Sequence, residues 1–373
     1  MLIILGLILV VSATLTSALL CWLMRSIARR VNFVDRPGER KIHTEPIALG
    51  GGAGFFATTV LIIVAGLLFA FSQRNGAAEW LPEVLTSNIH DIIDRWGLVF
   101  YVLGGGAVLF LVGLMDDIWQ LSPWIRLIVQ AAVAATLWFA SDELRVTAFS
   151  GNAWLSLTLT VLWIVGITNA FNLLDNMDGL SAGVGVVASA MFLVVAIVTQ
   201  QYLLAAMLIV FAGSLLGFLI FNFPPASLFM GDAGSTFIGY MLGTLTILFT
   251  FYMPGRGYNP IAAIVVPLVI LAVPIYDTIS VVCIRLASGK PVFGADKNHF
   301  SHRLVVLGMG KRTAVVTIYI VTLCTGLLAP LLLKLDEEMS LLVFANVLVT
   351  LMLVWLLEHA GRRGRADSQG NGQ

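Results

Sequence analysis

MLIILGLILVVSATLTSALLCWLM, residues 1–24, carries no charged side chain, and a helix needs about 20 apolar residues to cross the hydrocarbon core of a bilayer. The run is longer than the roughly 7–15-residue apolar region of a signal peptide and lacks a basic stretch before it, so it reads as a retained first span. Its basic flank, Arg25, Arg29 and Arg30, comes after it. The same criterion picks out ten further runs along the chain, near 48–71, 98–115, 124–140, 154–174, 180–199, 203–221, 236–252, 261–282, 313–333 and 340–357. The expected fold class is therefore all-α: a polytopic integral membrane protein of about eleven transmembrane helices. The run 236–252 is short and 124–140 marginal, which leaves ten as the alternative. Residues 1–357 are expected to form one transmembrane domain. Residues 358–373, ending GRRGRADSQGNGQ, read as a polar, disordered tail.

Composition agrees. Of 373 residues, 59% are hydrophobic and 11% charged, against roughly a quarter charged in a soluble domain. The 21 basic and 21 acidic residues cancel, so the chain lacks the basic footprint of a nucleic-acid binder, and no nucleic-acid partner is expected. Cys21, Cys283 and Cys324 have no zinc or redox spacing and read as small membrane residues.

Lysine and arginine collect on the cytoplasmic side of membrane proteins. With the N-terminus outside, sixteen of the 21 basic residues fall in inner segments, and Arg74, Arg95, Arg145, Arg256 and Lys334 fall outside. The expected orientation is N-out and C-in. The outer segment 72–96 has room for a short amphipathic piece. Neither half shows a matching pair of broken helices, which argues against inverted-repeat transporters.

Four segments place acids or histidines at inward-facing helix ends. Asp116 and Asp117 close LFLVGLMDDIWQ (109–120); they either face a cation or proton, or simply end the helix in water. NAFNLLDNMDGLSAG (169–183) spaces Asn169, Asn172, Asp175 and Asp178 by three, which aligns them on one face if the segment is helical; interhelical glue is the other reading. In NFPPASLFMGDAGS (222–235), Gly231 and Gly234 bracket Asp232, a pattern suited to a cation and a phosphate, or to an ordinary turn. FGADKNHFSHRL (293–304) sets His299 and His302 three apart among Lys297 and Arg303, able to meet phosphate, a metal, a proton or anionic lipid. The loop VDRPGERKIHTEPIALGGG (34–52) adds Arg36, Arg40, Lys41 and His43 before a glycine run that matches neither a Walker loop nor a dinucleotide fingerprint; close helix packing would explain the glycines. Asp277 stands apart inside an apolar run, as a buried partner or as part of the site. Carboxylates beside basic groups and glycine turns make a magnesium and phosphate environment, and the residues alone point to a membrane enzyme with cytosolic phosphorylated substrates.

These motifs, DRPGERKIHTEPIALGGG, GLMDD, NAFNLLDNMDGLSAG, NFPPASLFMGDAGSTFIGY and DKNHFSHRL, occur in order over residues 35–303 and resemble those of the polyprenyl-phosphate N-acetylhexosamine-1-phosphate transferases. The resemblance implies attack of a lipid monophosphate on the β-phosphorus of a UDP-sugar, giving polyprenyl-diphospho-sugar and UMP at the cytoplasmic face of a bacterial cytoplasmic membrane. It implies Mg²⁺, with Mn²⁺ the alternative, held by Asp232, Asp116 and Asp175. It assigns Asp116 and Asp117 to the lipid phosphate, Asn172 and Asp175 to the diphosphate, and Asp178, Asn222 and Phe229 to uracil. His299 and His302 fall near the phosphates, and Arg40, Lys41, His43 and Arg303 are further substrate contacts. The implied partners are the UDP-sugar, undecaprenyl phosphate, membrane lipid and, as an assembly, a homodimer.

Two positions depart from the pattern: Asn176 stands where glycine is expected, and Ser301 where the middle histidine of a run is expected. The RKxHxxP loop is similar to that of the N-acetylglucosamine-1-phosphate branch, which favours that donor for cell-envelope glycan synthesis. The phospho-N-acetylmuramoyl-pentapeptide branch is the alternative, and a cation-coupled transporter is the rival from another class.

Overall fold

The computed structural model describes residues 2–36, 46–74, 83–147, 152–250, 260–291 and 298–370. In chain order the elements are α1 (Leu2–Arg30), β1 (Val34–Asp35), β2 (Ile47–Leu49), α2 (Gly51–Ser72), α3 (Glu83–Asp94), α4 (Trp96–Trp119), α5 (Pro123–Ala140), α6 (Ala153–Leu174), α7 (Leu180–Val198), α8 (Tyr202–Asn222), β3 (Leu228–Phe229), α9 (Gly231–Thr250), α10 (Pro260–Ile270), α11 (Ala272–Ala287), α12 (Phe300–Val306), α13 (Lys311–Gly326), α14 (Ala329–Leu332) and α15 (Glu337–Gly370).

Among the described residues nine helices are long and apolar enough to cross a membrane, or ten if α10 and α11 make one span. The chain is a multi-pass helical membrane protein; the ten-span alternative is met when α10 and α11 make one span, and eleven is not reached among the described residues. Two local causes account for the difference. The run 261–282 breaks at Leu271 and bends by 71°; Pro274 has no N–H to donate to Ile270, so the helical ladder is cut there. The run 236–252 becomes α9, whose small and polar residues suit burial in protein better than contact with lipid. Phe237, Tyr240, Met241, Leu242 and Leu245 on α9 are all fully buried.

Close approach of helices to α9 depends on glycine. A Cβ at Gly113 of α4 would lie 2.5 Å from Ala233 Cα, and one at Gly239 of α9 would lie 2.6 Å from Thr168 Cα on α6. Tyr240 adds a hydrogen bond from its hydroxyl to the Val102 carbonyl of α4, at 3.0 Å. The helix α3 supplies the amphipathic piece expected in 72–96.

A small sheet, absent from the sequence reading, joins distant segments. β1 pairs antiparallel with β2, and β2 pairs parallel with β3, setting Ala48 opposite Leu228 and Leu49 opposite Phe229. α15 continues to Gly370 through the stretch expected to be disordered, and Glu358, the first residue assigned to the tail, is buried with its Oε2 2.9 Å from Arg303 Nε. A buried ion pair to α12 anchors the helix past the point where apolar residues run out.

Candidate active site

The α4 C-terminus, the α6–α7 turn and the α9 N-terminus meet at one end of the bundle. α4 stops at Gln120, which takes a left-handed conformation and donates to the Asp116 carbonyl at 2.8 Å. α5 then starts with Pro123 in its first turn, a position where the missing N–H costs nothing. This tight corner brings Arg126 back onto Asp116, with Nη1 to Oδ2 at 2.5 Å; the same nitrogen is 3.6 Å from Asp232 Oδ2. Arg126 is thus the cation between two carboxylates. By sequence alone Arg126 is one of the sixteen basic residues of the inner segments.

Asp117 faces the start of α9. Its Oδ1 accepts from the Asp232 N–H at 2.7 Å and its Oδ2 from the Ala233 N–H at 3.2 Å. Helix N-termini leave such donors unpaired and favour negative charge, so Asp117 caps α9 from a neighbouring helix. Gly231 permits this: its φ is +72°, and a Cβ there would sit 2.3 Å from Asp117 Oδ2. Asn172 Nδ2 donates to Asp232 Oδ1 at 2.7 Å and to Ser235 Oγ at 3.0 Å. Asp116, Asp117, Asn172 and Asp232 therefore do come together.

The spacing of three in NAFNLLDNMDG does not put four polar groups in one volume, because α6 ends at Leu174. Asn169 bonds Gln130 of α5 at 2.6 Å, as interhelical glue. Asp178 Oδ2 accepts from the Ala226 N–H at 2.9 Å. Asn222 is buried, its Oδ1 taking the Gly179 N–H at 3.0 Å and its Nδ2 donating to the Leu228 carbonyl at 2.9 Å. Both ends of that amide hold backbone, so Asn222 shapes the segment that presents Phe229. Tyr319 donates to the Gly179 carbonyl and Arg312 to the Pro224 carbonyl at 2.8 Å, tying α13 to the same turns.

Asp175 lies past the end of α6, and among the described residues no group donates to its carboxylate. Burial first, then the nearby charges of Asp232, Asp117 and Asp178, push its pKa up to about 8. Concentrated negative charge of this kind invites a cation. Among the described residues no three His, Cys, Asp or Glu side chains form a metal cage by themselves. Magnesium seldom uses one: it keeps several waters and binds through one or two carboxylates plus substrate phosphates. The donor chemistry here fits such an ion.

His299 is buried, with Nδ1 2.8 Å from Asp277 Oδ2, while Asp277 Oδ1 accepts the Phe300 N–H at 2.6 Å. Asp277 is thus a buried partner of the histidine segment. His302 is one helical turn on, its ring centre 6.4 Å from that of His299. Arg303, expected as a substrate contact, is buried. It donates to Glu358, Ser280 Oγ and the Asn298 carbonyl, at 2.9, 2.9 and 2.6 Å, and holds α12 to α11 and α15. Arg40, Lys41, His43 and Lys297 lie outside the described residues. The flanks of the basic loop are placed, however, since β1 and β2 carry them to β3. Gly52 donates to the Met230 carbonyl at 3.2 Å, and a Cβ at Gly52 would be 2.5 Å from that oxygen. The glycine run thus serves close approach of α2 to the segment before Asp232.

Fold and site together define a multi-pass membrane protein whose carboxylates, amide and arginine gather where several helices end. Residues 99–250 match the model of glycosyl transferase family 4. The chain is 31% identical over 348 residues to a Bacillus subtilis (strain 168) protein named "Probable undecaprenyl-phosphate N-acetylglucosaminyl 1-phosphate transferase", covering 91% of this chain and 88% of that one. It is 30% identical to the decaprenyl-phosphate N-acetylglucosaminephosphotransferase of Mycobacterium tuberculosis (strain ATCC 25618 / H37Rv), over 80% and 75% of the two chains. To the undecaprenyl-phosphate alpha-N-acetylglucosaminyl 1-phosphate transferase of Escherichia coli (strain K12) it is 27% identical, over 86% and 81%. The chain belongs to glycosyl transferase family 4, a family of transferase enzymes.

Proposed function

We propose that the protein transfers a HexNAc-1-phosphate, namely N-acetylglucosamine-1-phosphate, from a UDP-sugar to undecaprenyl phosphate at the cytoplasmic face of a bacterial membrane. An oxygen of the lipid phosphate attacks the β-phosphorus of the donor; the anhydride to UMP breaks as the new one forms. The equilibrium constant is near unity, and later steps pull the product forward. The observation that carries the reading is the junction of Asp116, Asp117, Asn172 and Asp232 at the α9 N-terminus, in a chain alignable over most of its length with transferases of this kind.

Little covalent chemistry falls to the protein in phosphoryl transfer; positioning and charge neutralisation dominate. Asn172 orients Asp232, Asp117 fixes the first turn of α9, and Arg126 offers a cation to phosphate oxygens beside Asp116. Asp116 orients the lipid phosphate or takes its proton. Asp232, with Asp116 and Asp175, would hold Mg²⁺, or Mn²⁺, which when bound offsets diphosphate charge. Phe229 and Asp178 are proposed to face the uracil, with His299 and His302 near the phosphates and the Arg40–His43 loop at the sugar phosphate.

Purified protein incubated with Mg²⁺, undecaprenyl phosphate and a panel of radiolabelled UDP-sugars tests this. Lipid-linked N-acetylglucosamine and stoichiometric UMP are expected. No product from any donor overturns the proposal, and transfer only from UDP-MurNAc-pentapeptide selects the other branch.

A further inference from the structure

We infer that Asn176 and Ser301 form an interlock that sets α12, with its two histidines, against the acidic α6–α7 turn, and that this positioning tunes turnover. The inference rests on the transfer reaction proposed above. Ser301 Oγ lies 2.5 Å from Asn176 Oδ1. The direction of the bond is determined by a second one: Asn176 Nδ2 is 2.8 Å from the Leu173 carbonyl, which can only accept, so Oδ1 faces Ser301 and the hydroxyl donates. Ser301 is buried, which keeps water from competing for the bond.

The neighbours of each partner give the bond its consequence. Asn176 follows Asp175 and precedes Asp178 by two; Ser301 sits between His299 and His302. These are also the two positions at which the motifs depart from the pattern they resemble, glycine at 176 and histidine at 301. The departures touch, so they act as one feature. Glycine at 176 would leave the Ser301 hydroxyl without its acceptor. A histidine at the buried 301 position would need the space the Asn176 amide fills. Asn176 and Ser301 are positioning residues, acting through the groups beside them.

The test is a double-mutant cycle of Asn176→Gly, Ser301→His and the pair, read as kcat, KM for the UDP-sugar and melting temperature. Each single variant is expected to lower kcat about tenfold with KM shifted less than about threefold, and the double variant to return within about threefold of wild type. Losses that multiply in the double, or singles that lower only the melting temperature, overturn the inference. An independent arm uses an Asn176→Cys, Ser301→Cys pair in a chain with Cys21, Cys283 and Cys324 replaced by alanine. Ready oxidation to a cross-link supports the juxtaposition, and failure to cross-link refutes it. A wild-type chain inactive with every donor sinks the functional proposal instead, and the cross-link then decides the interlock.

Discussion

Asp117 spends both carboxylate oxygens on the backbone of α9, so it adds charge to the cluster and also builds the turn that carries Asp232. Asp117→Ala should therefore lose orders of magnitude in turnover and about 1–2 kcal/mol of stability from the lost cap. Asp232→Asn, which keeps the Asn172 contact, should lose turnover with melting temperature unchanged; wild-type activity in that variant would remove Asp232 from the chemistry. Gly231→Ala probes the same turn through strain, since a left-handed residue with a side chain costs roughly 1–2 kcal/mol and its methyl group would displace Asp117. For Asp175, whose proton is held up to about pH 8 by burial and neighbouring acids, Mg²⁺ binding should release a proton and tighten as pH rises toward that value. Calorimetry in two buffers of different ionisation heat would show the release; its absence would place Asp175 outside the coordination sphere. At this scale the acids were legible because an acid beside an apolar run is conspicuous. Arg126 was not, and Asp277 was conspicuous without its partner being readable, because their partners lie 10 and 22 residues away.

Glycines set how near the elements stand. Gly113→Leu should force α4 off the backbone at Ala233, shifting Asp116 and Asp117, one turn on, relative to Asp232. Expected is a protein that still inserts but has lost activity and melts lower; unchanged activity would mean the α4–α9 spacing is not critical. The α12–α15 contact makes a sharper case. Removing the buried Glu358 carboxylate strands Arg303 and should cost about 3–5 kcal/mol. Truncation before Glu358 should then destabilise the protein while truncation just after it is tolerated, measurable as melting temperature in detergent. Hydropathy sees the end of an apolar run near 357 and cannot see the ion pair that holds Glu358 to Arg303.

Across the whole molecule, the sites converge only if the loops after α4, α6, α8 and α11 lie on one side of the membrane. Exposed positions on opposite ends test the N-out assignment: Gln120→Cys should label only from the cytoplasmic side and Asp142→Cys only from the outside. The reverse pattern would overturn the orientation. Length and apolarity alone determined that this is a polytopic helical membrane protein, because the bilayer leaves hardly any other way to bury so many uncharged runs. The motifs likewise marked Asp116, Asp117 and Asp232, which the structure brings to one place. Tertiary structure alone decided that α9 packs closely against α4 and α6, that a three-stranded sheet carries the basic loop's flanks to Phe229, and that Arg303 braces α12 against α11 and α15. The packing of α9 and the place of Arg303 depend on contacts such as Arg303 to Glu358 and Tyr240 to Val102, 55 and 138 residues apart in the chain, and hydrophobic periodicity holds no record of such pairings.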